Sequence, residues 1–212
     1  MVQTIQKTKS GFFNISAWKL RDIILVSMLS VFFAILYIGL DYVIRFPRPF
    51  FALFGLGEFN NSFFAGIYYI SATFAAYIMR KPGIALVTGL MSALVQVPLG
   101  NPWGVTLFMY GLMQGAGAEI GYLIFRYKKY GWASILASAA ICLIFSFALD
   151  WFVRGLWEYR MAYLVTRFSI RFASALFFAG VLSKLLADRL AKAGVLKSYP
   201  IGENYVGNIN EP

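Results

Sequence analysis

Asp41, Glu119, Asp150, Arg167 and Arg171 are ionisable side chains that fall inside long apolar stretches of the sequence. A charge at that depth is costly unless it is paired or faces a polar cavity, so each is a candidate for ligand or ion binding. Arg167 and Arg171 are spaced to share one helix face. Arg167 falls near the level of Asp150 on the preceding stretch and is expected to pair with it. That leaves Arg171 one turn deeper, with no acid at its own level. Glu119 has four readings: a deep ligand contact, a proton-binding site, an acid facing a cytoplasmic partner, or an acid bonded to a neighbouring helix. Gln96, Asn101, Trp103, Tyr110 and Gln114 gather around one hairpin and could line a cavity, although each type also serves as interhelical glue or as an interfacial anchor.

Bond-making chemistry has little to work with. The chain has no histidine, so imidazole acid–base catalysis and histidine metal sites are excluded. Its single cysteine, Cys142, cannot close an intramolecular disulfide. No phosphate-binding GxxxxGK[ST] loop and no cysteine–histidine metal spacing occurs, so neither a cofactor nor a metal is expected, and the chain cannot power transport alone. The nine acidic residues are scattered rather than clustered, which argues against a membrane enzyme using metal or paired carboxylates. A structural membrane subunit remains as a rival from another class; it predicts no saturable small-molecule binding.

The elements that must position these residues follow from composition. Of 212 residues, 60% are apolar and 13% are charged, against about a quarter charged in soluble domains. A water-soluble enzyme is excluded. Continuous apolar runs at about 22–44, 62–79, 83–99, 103–125, 132–152 and 163–186 are each near the length of a membrane helix and do not alternate as barrel strands do. RKPG at 80–83, GNPWG at 100–104 and RYKKYGW at 126–132 break them. The expected fold is all-α, an integral membrane bundle of six transmembrane helices. It divides into an N-terminal tail over 1–21, kept in the mature protein, a membrane domain over 22–188 and a C-terminal tail over 189–212, solvated from Lys197 onward.

Basic residues set the orientation. Lys7, Lys9, Lys19, Arg21, Arg80, Lys81, Arg126, Lys128, Lys129, Lys184, Arg189, Lys192 and Lys197 fall on one side, against Arg45, Arg48, Arg154 and Arg160 on the other. Both termini are therefore expected in the cytoplasm. The net charge of +10 reflects this distribution rather than a nucleic-acid surface. The longer outer connections, about 45–61 and 153–162, read as capping loops over an outward pocket or as packing. Ser27, Ser30 and Ala34 form a small-residue stripe on the first span that suits either internal packing or external docking.

AAYIMRKPGIAL at 75–86, LGNPWG at 99–104 and GLMQGAGAEIGYL at 111–123 resemble the YkoE family, with weaker similarity through Asp150 and the run at 170–188. These are substrate-binding (S) components of energy-coupling factor (ECF) vitamin transporters, associated with thiamin or its hydroxymethylpyrimidine precursor. The resemblance covers about 18–196 and implies a protein of a prokaryotic plasma membrane that binds its vitamin at the outer face. It implies as partners a transmembrane T component and two cytoplasmic ATPases, with Ser27, Ser30 and Ala34 contacting the T component. Tyr68, Tyr69, Trp103, Trp151 and Trp157 would supply rings around the heterocycle. Gln96, Asn101, Gln114 and Glu119 would bond its nitrogens and amine, so that Glu119→Gln should weaken binding, and Arg171 would bond an alcohol or phosphate-like oxygen. Gln96 and Ser62 stand where the family pattern carries glutamates, which suits a neutral pyrimidine, or a cation held by aromatic rings, at least as well as an acid-bound thiamin. The reading is an S component for thiamin or a related pyrimidine; the alternatives are another vitamin or a structural subunit.

Overall fold

A computed structural model describes residues 18–54 and 56–202. The tails over 1–17 and 203–212, with Lys7 and Lys9, lie outside the described residues. Helix α1 (Leu20–Arg45) is followed by a short α2 (Arg48–Leu53), a 3-10 turn, α3 (Asn60–Phe63), a 3-10 stretch at Ala65–Tyr69 and α4 (Ile70–Met79). Then come α5 (Ile84–Gln96), α6 (Thr106–Ile124), α7 (Trp132–Val153) and a last rod made of α8 (Met161–Ser174), a π-helical stretch at Ala175–Leu182 and α9 (Ser183–Lys192). No strand occurs among the described residues.

The rods follow the expected segments, but they are not equivalent. Leu20–Arg45, Trp132–Val153 and Met161–Lys192 are long and apolar enough to cross a membrane. Ala65–Met79 and Ile84–Gln96 are apolar but shorter. Every residue of α4 is buried, as expected of a helix apolar on all sides, which must sit inside other protein. It touches α1, α5, α6, α7, α9 and the π-helical stretch, so its environment is supplied by neighbours.

Helix α6 carries the glycines that looked like a packing stripe, and it is clamped between α5 and α7. A Cβ at Gly115 would lie 2.8 Å from the Leu86 carbonyl oxygen, and one at Gly121 would lie 2.2 Å from Ser138 Cα. Only a missing side chain allows backbones this close. Ser138 Oγ then donates to the Ala118 carbonyl at 2.9 Å, and Tyr122 Oη donates to the Thr73 carbonyl of α4 at 2.8 Å.

The stretch from Lys197 departs from expectation. Leu196 and Ile201 are buried in the common core, and Tyr199 Oη donates to the Arg21 carbonyl at 3.2 Å. As far as Gly202 the chain packs beside the start of α1 instead of forming a solvated tail, because two apolar side chains there have a core to enter.

Candidate functional site

A cavity of about 450 Å³ opens where α1 ends and the α5–α6 hairpin turns. It is the size of a small-molecule site. Each wall is one helix face. Tyr37, Asp41, Ile44 and Arg45 come from α1; Gly89, Ser92, Ala93 and Gln96 from α5; Trp103, Leu107, Tyr110, Gly111 and Gln114 from the hairpin and α6; Ser146, Asp150 and Arg154 from the α7 side; Arg167 and Arg171 from α8. Spacings of three, four and seven put such residues on one side of a helix. Arg48, Asn61, Ser62, Ala65, Tyr68 and Tyr69 from the segment after α1 complete it.

Two acids face this space in different settings. Asp41 accepts from Tyr68 Oη and, at 3.1 Å, from Asn101 Nδ2. The same Asn101 amide donates to Gln96 Oε1 at 3.1 Å, and Gln96 Nε2 donates to the Ser92 carbonyl at 2.9 Å. Asp41 has no cation within ion-pair distance among the described residues. Asp150 accepts from Tyr110 Oη and Arg171 Nη1, with Arg154 at 3.2 Å and Arg167 at 3.6 Å. Arg171 Nη2 donates to Tyr69 Oη at 3.2 Å, and the Arg154 guanidinium lies 4.9 Å from the Trp103 ring centroid.

The expected pair of Arg167 with Asp150 is present at 3.6 Å, and the expectation that Arg171 has no acid partner is corrected. Arg171 bonds Asp150 directly and Arg167 stands farther off. Helical side chains lean toward their own N-terminus, so a long arginine one turn deeper on α8 reaches back to the acid. Of the other proposed ligand contacts, Tyr68, Tyr69, Gln96, Trp103, Tyr110 and Gln114 line the cavity. Asn101 is buried behind Gln96 and Asp41 and orients both. Trp151 and Trp157 do not line it. Trp151 follows Asp150 by one position, which turns it about 100° around α7.

Glu119 lies elsewhere. Its carboxylate accepts from the backbone N–H groups of Gly83 at 2.6 Å, Ala85 at 3.0 Å and Leu86 at 3.4 Å, and from Tyr127 Oη at 2.6 Å. These are donors at the start of α5, left without partners inside the helix. Of the four readings, the geometry matches the acid bonded to a neighbouring helix. Burial, and then the hydrogen bond to Glu119, raise the Tyr127 phenol above its ordinary range. Gly83 sits there with φ of +86°, a conformation that glycine adopts without strain.

The small-residue stripe also divides. Ser30 and Ala34 are buried inside the chain, whereas Ser27 is exposed and donates to the Ile23 carbonyl at 2.9 Å. The buried pair packs α1 inward and offers no outer face. The sequence reading raised Asp41, Asp150 and Arg167 only as charges at membrane depth and gave Arg45 and Arg154 no place at the site; the four-residue spacings of Asp41 with Arg45 and of Asp150 with Arg154 carried the signal.

Residues 21–145 match the family model described as ABC-type cobalt transport system, permease component. The HMP/thiamine permease protein YkoE of Bacillus subtilis (strain 168) is 35% identical over 187 residues, covering 88% of this chain and 92% of that protein. The crystal structure of an S-component of an ECF transporter aligns with a TM-score of 0.82 at 34% identity, over 91% of this chain and 95% of that one.

Proposed function

This chain belongs to the YkoE family of ECF-transporter S components, and we propose that it captures thiamin or its hydroxymethylpyrimidine precursor in the cavity at the end of α1. It is a multi-pass membrane protein and not an enzyme. The observation that carries the substrate reading is the Asp41–Asn101–Gln96 network beside Tyr68 and Trp103. It offers aromatic faces, amide groups and one carboxylate with no ion pair among the described residues, which suits a heterocycle bearing an amine and a fixed cation. Gln96, Gln114, Tyr68, Tyr69, Trp103 and Tyr110 are the proposed contacts, with Asn101 as the residue that positions them.

The cobalt in the family description does not suit this cavity as cargo. The chain has no histidine, and among the described residues no three histidine, cysteine or acidic side chains converge.

The proposal extends to topology and partners. Six helices span a prokaryotic plasma membrane, both termini are cytoplasmic, and the cavity opens outward under the segment after α1. Release inward requires a T component and two ATPases. Ser27, not Ser30 or Ala34, remains as a small residue on the outside of α1 for the T component to approach. The test is uptake of labelled thiamin by cells lacking their own thiamin transport. Accumulation should require this chain together with a T component and ATPases. Uptake that does not depend on this chain would overturn the transport role.

A further inference from the structure

Three guanidinium groups, those of Arg154, Arg167 and Arg171, gather on the single carboxylate of Asp150. The charges do not balance. One aspartate offsets one arginine and leaves two positive charges at the cavity wall. Arg167 and Arg171 are 7% and 8% exposed, and their Nε–H groups are buried with no hydrogen-bond partner among the described residues. Uncompensated charge away from water is costly, and unmade hydrogen bonds there add to the cost. Both are relieved if an anion enters.

We infer that this wall is an anion subsite, built to take the phosphate of a phosphorylated form of the vitamin such as thiamin monophosphate. The inference rests on the thiamin reading for the rest of the ligand. A phosphomonoester carries about −1.5 to −2 at pH 7, which matches the surplus of two. Guanidinium forks suit phosphate oxygens geometrically. The α1 wall carries Asp41, which has no ion pair among the described residues although Arg45 and Arg48 also line the cavity there, so a zwitterion with a cationic ring and an anionic tail meets a carboxylate at one end and the Asp150 arginines at the other. A neutral pyrimidine would leave the arginine surplus unmet.

The experiment uses the full chain in phosphatidylcholine nanodiscs. Thiamin and thiamin monophosphate are titrated in parallel, and thermal unfolding is followed with inorganic phosphate. The monophosphate should bind at least about tenfold tighter than thiamin, as charge-assisted hydrogen bonds imply. Arg154→Gln, whose side chain is 30% exposed and so tolerates replacement, should shrink that advantage to about threefold or less. Inorganic phosphate alone should raise the unfolding temperature of the parent protein, and less so in the variant.

Equal or weaker binding of the monophosphate, with no stabilisation by phosphate, overturns the subsite and leaves thiamin capture standing if thiamin itself binds. Stabilisation by phosphate without binding of either thiamin form supports the subsite and removes the vitamin reading. An advantage present in phosphatidylcholine but abolished in phosphatidylglycerol nanodiscs would assign the arginines to a lipid headgroup and overturn the ligand assignment.

Discussion

Arg171 of α8 donates directly to Asp150 of α7, and the same carboxylate holds Tyr110 of α6 and stands within ion-pair distance of Arg154 and Arg167. One side chain thus ties three helices together at the cavity. Removing one partner of a buried ion pair typically costs about 3–5 kcal/mol, because the other charges stay behind unmatched. Asp150→Asn should therefore lower the thermal stability of the purified protein sharply, and more than Asp41→Asn does. A variant that unfolds within a degree or two of the parent would mean that the arginines are compensated by something other than Asp150.

Asp41 should separate charge from shape. Asp41→Asn keeps the size and can still accept from Tyr68, so the fold should survive. Thiamin binding should weaken by about tenfold or more, the scale of a lost charge-assisted contact. Binding of hydroxymethylpyrimidine, which has no fixed cation, should change by less than about twofold on the same reasoning. Calorimetric titration of both ligands reads the difference; an equal loss for the two would place Asp41 in a purely structural role.

Glu119→Gln should damage the fold rather than the site. The carboxylate satisfies three backbone donors at the start of α5 and one phenol. An amide keeps one acceptor oxygen and brings a donor toward other donors, and hydrogen bonds to charged groups contribute about 1.5–3 kcal/mol each. The unfolding temperature should fall while ligand affinity stays within about twofold. This reverses the outcome expected from sequence alone.

Gly121→Ala puts a carbon where only 2.2 Å separates it from Ser138 Cα. Backbone must move, since neither atom belongs to a flexible side chain, and overpacking of this kind costs about 1–3 kcal/mol. Lower yield and lower stability are expected, with Gly39→Ala as the comparison, because nothing lies within 4 Å of a Cβ there. Equal stability of the two variants would show that α6 and α7 can separate freely.

The helices were legible in the sequence because apolar runs broken by RKPG, GNPWG and RYKKYGW leave few other foldings. The hairpin cluster of Gln96, Asn101, Trp103, Tyr110 and Gln114 was legible too, since its members share helix faces or a short turn. Glu119 was misjudged for a physical reason: its depth was readable, but its partners are backbone N–H groups, which have no residue signature. Arg171 was misjudged because level counting ignores the reach of a long side chain toward its helix N-terminus. The inward turn of Ser30 and Ala34 depends on which face of α1 meets α5, which small residues alone do not specify.

The central claim is that the cavity at the end of α1 binds thiamin or its pyrimidine precursor. Tryptophan fluorescence of the purified chain, titrated with each compound, tests it most directly, because Trp103 lines that cavity. Saturable quenching by at least one of the two is predicted, and Trp103→Phe should abolish most of the signal while calorimetry still detects binding. No saturable response to either compound, by fluorescence and by calorimetry alike, would contradict the account.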